Sequence, residues 1–254
     1  MQLWVPLGLL LVMWLGCGQP SPDRLYRAAR KAQMEGRLDK AERRYRKLLE
    51  RYPQDELADD ALLGIASLAK VRGDTAGVFR AADELCRRYP NSPRRGEAWL
   101  LKAEIVGPEI REVVLDTVYR LAVRMGASQG SLEVAGELLR ALVERFPEGA
   151  LADDALFMLG QIAQNRGRHE EAIARYQDLL EKYPDSEHNY KAQFMIGFIY
   201  SENLHDYSMA RKAFKKLLEE YPDCDLALSA RWMLENMGKP LESLDIFKKE
   251  VQGD

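Results

Sequence analysis

An aromatic residue followed directly by proline recurs along the chain, at Tyr52-Pro53, Tyr89-Pro90, Phe146-Pro147, Tyr183-Pro184 and Tyr221-Pro222. The prolines lie 37, 57, 37 and 38 residues apart. Proline disfavours helical geometry in the residue before it, so each pair marks a place where a helix must stop. A period in this range restricts the chain to an array of helical units, each of which hides its apolar side only against the next.

The units match in detail. Leu57 to Gly73 reads LADDALLGIASLAKVRG and Leu151 to Gly167 reads LADDALFMLGQIAQNRG. In each, a helix is expected to begin near the Asp-Asp pair, whose charge suits a helix amino terminus, and to stop at the glycine. A second helix then runs to the aromatic-proline pair. Within these second helices apolar residues recur at three and four: Ala41, Tyr45, Leu48; Ala172, Tyr176, Leu179; Ala210, Phe214, Leu217. That is the stripe of an amphipathic helix. The first helices carry a small residue where the partner must approach closely, at Ala29, Ala66, Gly160 and Gly197.

This pattern resembles the tetratricopeptide repeat, with its Leu-Gly in the first helix, alanine and aromatic in the second, and proline at the end. The resemblance covers about residues 23 to 238; it is most specific from Leu151 to Pro222 and degenerate in the second repeat, where Val78 and Ala82 replace the alanine and the aromatic. The expected fold is all-α, a superhelical solenoid of about five to six tetratricopeptide-type helix pairs with an enlarged third repeat. The 57-residue interval holds roughly 20 extra residues, with helices expected near 94 to 106, 109 to 125 and 131 to 146 and breaks at Gly107-Pro108 and around Gly126 to Gly130. After Gly238-Lys239-Pro240, Leu241, Leu244 and Phe247 fall at helical spacing, as expected of a segment capping the last repeat.

The chain opens on an apolar, uncharged run from Leu3 to Leu15, too short to cross a bilayer as a helix but suited to the core of an export signal. It ends Trp14-Leu15-Gly16-Cys17, which resembles the lipobox of bacterial lipoproteins; Gly16 and Cys17 fit, whereas the family usually has leucine where Trp14 stands and a smaller residue at Leu15. The resemblance implies removal of residues 1–16, acylation of Cys17 and a lipidated tether over 17–22, ahead of the solenoid at 23–238 and the capping segment at 239–254. Secretion with cleavage nearby fits the same residues. Several acyl chains on one residue anchor a protein where one chain does not. Gly18, in place of aspartate after the cysteine, implies by the same resemblance the outer membrane, periplasmic face. Cys86 and Cys224 lie in different repeats, which a stacked array keeps apart, and are read as small core or surface residues.

With 37 lysines and arginines against 40 acidic residues, the chain lacks the basic balance of a nucleic-acid binder. The charge is uneven, however: from Arg24 to Arg51 eleven basic residues meet four acidic ones. A solvated helix face explains this block; its place after the proposed anchor also makes anionic headgroups a candidate contact.

Nothing in the motifs calls for a cofactor or a metal. His169, His188 and His205 stand at helix starts or linkers and form no metal spacing with cysteine, and no phosphate loop, nucleophile elbow or zinc-protease helix is present. The pairs Asp59-Asp60 and Asp153-Asp154 occupy the same place in two repeats, which favours helix capping over acid-base chemistry. An enzyme acting on peptidoglycan is the disfavoured class.

In tetratricopeptide arrays the first helices line the concave face, where ligands commonly lie. Carried over by position, the candidate peptide groove comprises Tyr26, Leu63, Phe157 and Phe194, with Arg30, Ser67, Gln161 and Phe198 one turn on, flanked by Lys70, Gln164, Asn165 and Lys191. The same rings fit packing between neighbouring helices. An enlarged third repeat in a lipoprotein of this size also resembles the BamD-type lipoproteins of the β-barrel assembly machine. That likeness implies a membrane-tethered scaffold binding other envelope proteins or peptides; the Tol-Pal-associated coordinators of cell-wall synthesis are the alternative. The sequence sets no oligomeric state.

Overall fold

The computed structural model describes residues 19–126 and 132–239. The described residues form twelve α-helices and no strand: α1 (Pro22–Met34), α2 (Leu38–Arg51), α3 (Ala58–Val71), α4 (Thr75–Arg88), α5 (Arg95–Ile105), α6 (Pro108–Gly126), α7 (Leu132–Arg145), α8 (Ala152–Asn165), α9 (His169–Lys182), α10 (Asn189–Phe198), α11 (Tyr207–Glu220) and α12 (Ala227–Asn236). A π-helical turn, Ile199–Asn203, extends α10. None of these helices is long and apolar enough to cross a membrane. The enlarged interval therefore holds three helices, α5 to α7, close to the expected bounds. Residues 1–18 and 240–254, with the signal, Cys17 and the capping leucines, lie outside the described residues, as does most of the Gly126 to Gly130 break.

Helix ends follow from local chemistry. Pro22 opens α1, where its missing N–H costs nothing, and the Ser21 side chain accepts from Arg24 N. Asp74 and Asp206 cap α4 and α11 by accepting from Gly77 N and Met209 N. Gly36, Gly73 and Gly167 end the first helices of three pairs at φ near +70°, a conformation that glycine adopts without penalty. The second helices α2, α4, α9 and α11 end on Tyr52, Tyr89, Tyr183 and Tyr221, each held out of helical geometry before its proline.

The chain divides into two compact units, either side of Arg111 and Glu112 within α6. In the first, α1 packs on α2, α2 on α3, α3 on α4 and α4 on α5. In the second, α7 to α12 pack in the same consecutive manner. Within α1 to α5 and within α7 to α12, each helix thus lies against its chain neighbours, as in a solenoid. The second-helix stripes are fully buried, and Tyr45, Tyr176 and Phe214 are the largest side chains with no solvent contact. Each contributes about 1.5–3 kcal/mol by its burial.

Three glycines make room for these rings. A Cβ at Gly160 would stand 2.4 Å from the Tyr176 ring, one at Gly197 would stand 2.8 Å from Phe214, and one at Gly64 would stand 2.6 Å from Tyr45. Gly160 and Gly197 are the small positions read from the sequence. Gly64 serves Tyr45 of the preceding pair, across the repeat boundary, while the expected Ala66 is simply buried in the core.

Two further devices tie one repeat to the next. The Tyr52 hydroxyl donates to the Pro20 carbonyl (3.2 Å), that of Tyr89 to Pro53 (2.8 Å) and that of Tyr183 to Pro147 (2.9 Å). Tyr89 and Tyr183 therefore pin the turns they close to the turn one repeat earlier, and Tyr52 pins its turn to the segment leading into α1. The acidic pairs supply the second device, beyond the helix-start role expected of them. They lie in the first turns of α3 and α8, whose cap residues Leu57 and Leu151 make no side-chain bond, and Asp59 Oδ1 accepts from the Asp60 backbone N–H within the first turn of α3 (2.8 Å). Three of the four carboxylates also reach forward: Asp59 accepts from the Ser92 hydroxyl (2.5 Å), Asp60 pairs with Arg94 (2.7 Å), and Asp154 meets His188 Nε2 (2.9 Å). Each link crosses to the start of the following first helix.

Candidate peptide-binding face

The first-helix column has two parts, one in each unit. In the first unit, Tyr26 on α1 is half-buried with its ring 5.9 Å from that of Tyr45, and half-buried Leu63 on α3 packs against the same core. Arg30, one turn past Tyr26, is exposed. Ser67 donates its hydroxyl to Leu63 O (2.9 Å), which turns it back on its own helix rather than outward. Lys70 is exposed and pairs with Glu104 of α5. Burial beside Tyr26 pushes the Tyr45 phenol up to about 12, and its hydroxyl donates to Gln33. That bond recurs in the fourth pair, where the Tyr176 hydroxyl donates to Gln164 (3.4 Å).

In the second unit the column is more aromatic. Phe157 on α8 stacks face to face on the His188 imidazole, with centroids 4.8 Å apart and planes 8° from parallel. Its other neighbour is Tyr176, 5.6 Å away. Phe194 on α10 meets buried Phe214 edge-on at 5.4 Å. Phe157, Phe194 and Phe198 are all half-buried: each ring packs on the core and keeps part of its surface in solvent. Among the flanking polar residues, Gln161 and Asn165 are exposed, Gln164 is held by Tyr176, and Lys191 lies over the Tyr190 ring (5.4 Å).

Phe194 and Phe198 do not stand alone. With Leu228, Ser229, Trp232 and Met233 of α12 they line an apolar cleft of about 400 Å³. Leu228 is 76% exposed and Trp232 46%, so the cleft is a patch of adjoining apolar side chains in solvent rather than one stray exposed residue. The sequence reading stopped the column at the fifth repeat and missed both. The signal was available: Tyr221-Pro222 stands 38 residues after Tyr183-Pro184, and one more period takes Phe194 onto Trp232. His188 was also missed, because a ring stacked on an aromatic and bonded to a carboxylate leaves no spacing signature. Among the described residues no group of His, Cys, Asp and Glu is placed to hold a metal, and Cys86 and Cys224 are free thiols.

Residues 19–177, from the start of the described chain into α9, match the family model described as outer membrane lipoprotein (YfiO). The chain belongs to the outer membrane lipoprotein family. A tetratricopeptide-repeat model matches residues 191–223, which contain most of α10, the π-helical turn and α11. Within curated proteins, the outer membrane protein assembly factor BamD of Pasteurella multocida (strain Pm70) is 24% identical over 203 residues, spanning 74% of this chain and 77% of that one. Solved structures with similar helix arrays include a thermophilic tetratricopeptide-repeat protein of Thermus thermophilus, at 21% identity, 84% and 97% coverage and a TM-score of 0.34. Another is YrrB, a tetratricopeptide-repeat protein with an unusual peptide-binding site, at 18% identity, 89% and 98% coverage and a TM-score of 0.36.

Proposed function

We propose that this outer membrane lipoprotein is a tethered adaptor in the assembly of outer-membrane proteins, working by binding and without covalent chemistry of its own. The family match over residues 19–177 carries the reading, and the similarity to an outer membrane protein assembly factor gives it direction. In this reading the segment 1–16 is removed on export, Cys17 is acylated, and the tether over 17–22 holds the repeats at the periplasmic face of the outer membrane. Partner segments, extended or helical, lie against the first-helix column, where Phe157 and Phe194 supply aromatic anchors of the kind that dominate interface energetics.

Crosslinking and pull-down of the lipidated protein from envelopes tests this directly. Co-purification with a β-barrel assembly protein is the expected result. Capture of peptidoglycan synthases or Tol-Pal components in its place would move the protein to cell-wall coordination. For the column itself, Phe157→Ala with Phe194→Ala is expected to weaken capture at least roughly tenfold, the scale of a hot-spot loss, with an unchanged helical circular-dichroism spectrum. Loss of that spectrum would assign both rings to the core.

A further inference from the structure

The basic block of the first helix pair is one continuous surface. On α2, Lys40, Arg43, Arg44, Lys47 and Arg51 fall at helical spacing and share a single face. The acidic residues of the same helix lie on another side: Asp39 and Glu42 point to α3, where both pair with Arg72, and Arg46 joins Glu42. Leu48 and Tyr45 fill the third side in the core. Arg44 donates to the Ala28 carbonyl (2.6 Å), which fixes the side of α1 adjoining this face. Arg24 and Lys31, one turn either side of Ala28, extend it across α1, and both are exposed.

These cations are not neutralised at short range. Among the described residues, Lys40, Arg43 and Lys47 have no carboxylate within ion-pairing distance, whereas Arg37 at the rim is paired with Glu35. Their mutual repulsion is felt: Arg37, Arg44 and Arg43, with some desolvation, hold the Lys40 ammonium below its ordinary pKa. A folded protein keeps such a cluster at a cost, and an external anion layer relieves it.

The face also stands where the chain leaves the repeats. Arg51 donates to the Gln19 side chain (3.0 Å) and Tyr52 to the Pro20 carbonyl, so the first described residue sits at the end of the basic stripe. Cys17 is two residues further back, at most about 7 Å of extended chain. We infer that this end face of α1 and α2 lies against the anionic headgroups of the membrane that holds the tether, fixing the orientation of the first repeat as well as its distance. The inference rests on the tether reading above. A lipid surface suits the geometry because the cations are spread over two helices, whereas an acidic peptide would call for a groove, and cationic residues near an anionic bilayer are attracted over about a Debye length.

Lysine footprinting of the full lipidated chain tests it, in vesicles of phosphatidylcholine alone and with about a quarter phosphatidylglycerol. Acetylation of Lys40 and Lys47 is expected to fall several-fold in the anionic vesicles and to recover in roughly half-molar salt. Exposed Lys212, Lys215 and Lys216 of α11 should label equally in both. Arg43→Glu with Lys47→Glu should abolish the protection of Lys40 while leaving the helical spectrum intact. Equal labelling of Lys40 and Lys47 in the two vesicle types, with the protein bound to both, overturns the inference and leaves the anchor standing. Failure to float with phosphatidylcholine vesicles removes the anchor instead; the face must then still bring the chain to anionic vesicles in a salt-sensitive way, and binding to neither overturns both.

Discussion

Gly160 shows how much one hydrogen atom decides in this array. Alanine normally favours a helix over glycine by about 1 kcal/mol, but at Gly160 its methyl would stand 2.4 Å from the buried Tyr176 ring, which is enclosed and has nowhere to retreat. Overpacking costs of roughly 1–3 kcal/mol then outweigh the gain. Gly160→Ala is therefore expected to lower the denaturation midpoint. Gly136→Ala in α7, where the nearest atom is an ordinary 3.9 Å away, should raise it. Chemical denaturation of the two variants separates helix propensity from the ring contact. The buried tyrosines make a second prediction. With the Tyr45 phenol raised from 10 to about 12 and Tyr176 raised too, both by burial, the folded state keeps protons that the unfolded chain gives up. Stability is fully present below pH 10 and falls as pH climbs from 10 towards 12, because proton release then favours the unfolded chain. Tyr45→Phe should flatten that slope in urea titrations.

For helices and turns, the informative observation is what joins one pair to the next. Tyr89→Phe and Tyr183→Phe remove only a hydroxyl, each bonded to the proline carbonyl one repeat earlier, and each should cost about 1 kcal/mol. Hydrogen exchange should localise the loss to the two turns concerned. The helices themselves were legible in the sequence because their punctuation is chemical: glycine at the end of a first helix, aromatic-proline at the end of a second, and an apolar stripe between. The contacts across repeats were less so. Asp59-Asp60 and Asp153-Asp154 sit in first turns as their charge demands, yet the partners that Asp59, Asp60 and Asp154 reach are Ser92, Arg94 and His188, about a repeat further on. Gly64 was passed over because its ring belongs to the previous pair. In both cases the deciding contact is between repeats, and local spacing carries no record of it.

At the scale of the molecule, the all-α succession of the described residues was legible in the repeat period and the tetratricopeptide pattern, while the candidate binding face was only partly readable. Half-buried rings such as Phe157, Phe194 and Phe198 belong to core and surface together, so hydrophobic spacing could not assign them to one. Trp232 and Leu228 required the period to be carried one repeat further. Because each helix in a unit packs mainly on its chain neighbours, local damage is expected to stay local. Gly160→Ala should raise amide exchange in α8, α9 and the helices touching them, and leave α1 to α4 at wild-type rates. Uniform loosening throughout would mean that the array melts as a single block. The phenol links bear on a different matter, the history of the fold's length. Where a tyrosine spans from one turn to the one before, the distance between turns is gauged, and added residues would break the span. The long repeat closes on Phe146, which has no hydroxyl to reach back with. Extra helix could be accommodated at that junction without cutting such a tie, and it is where the extra helix stands.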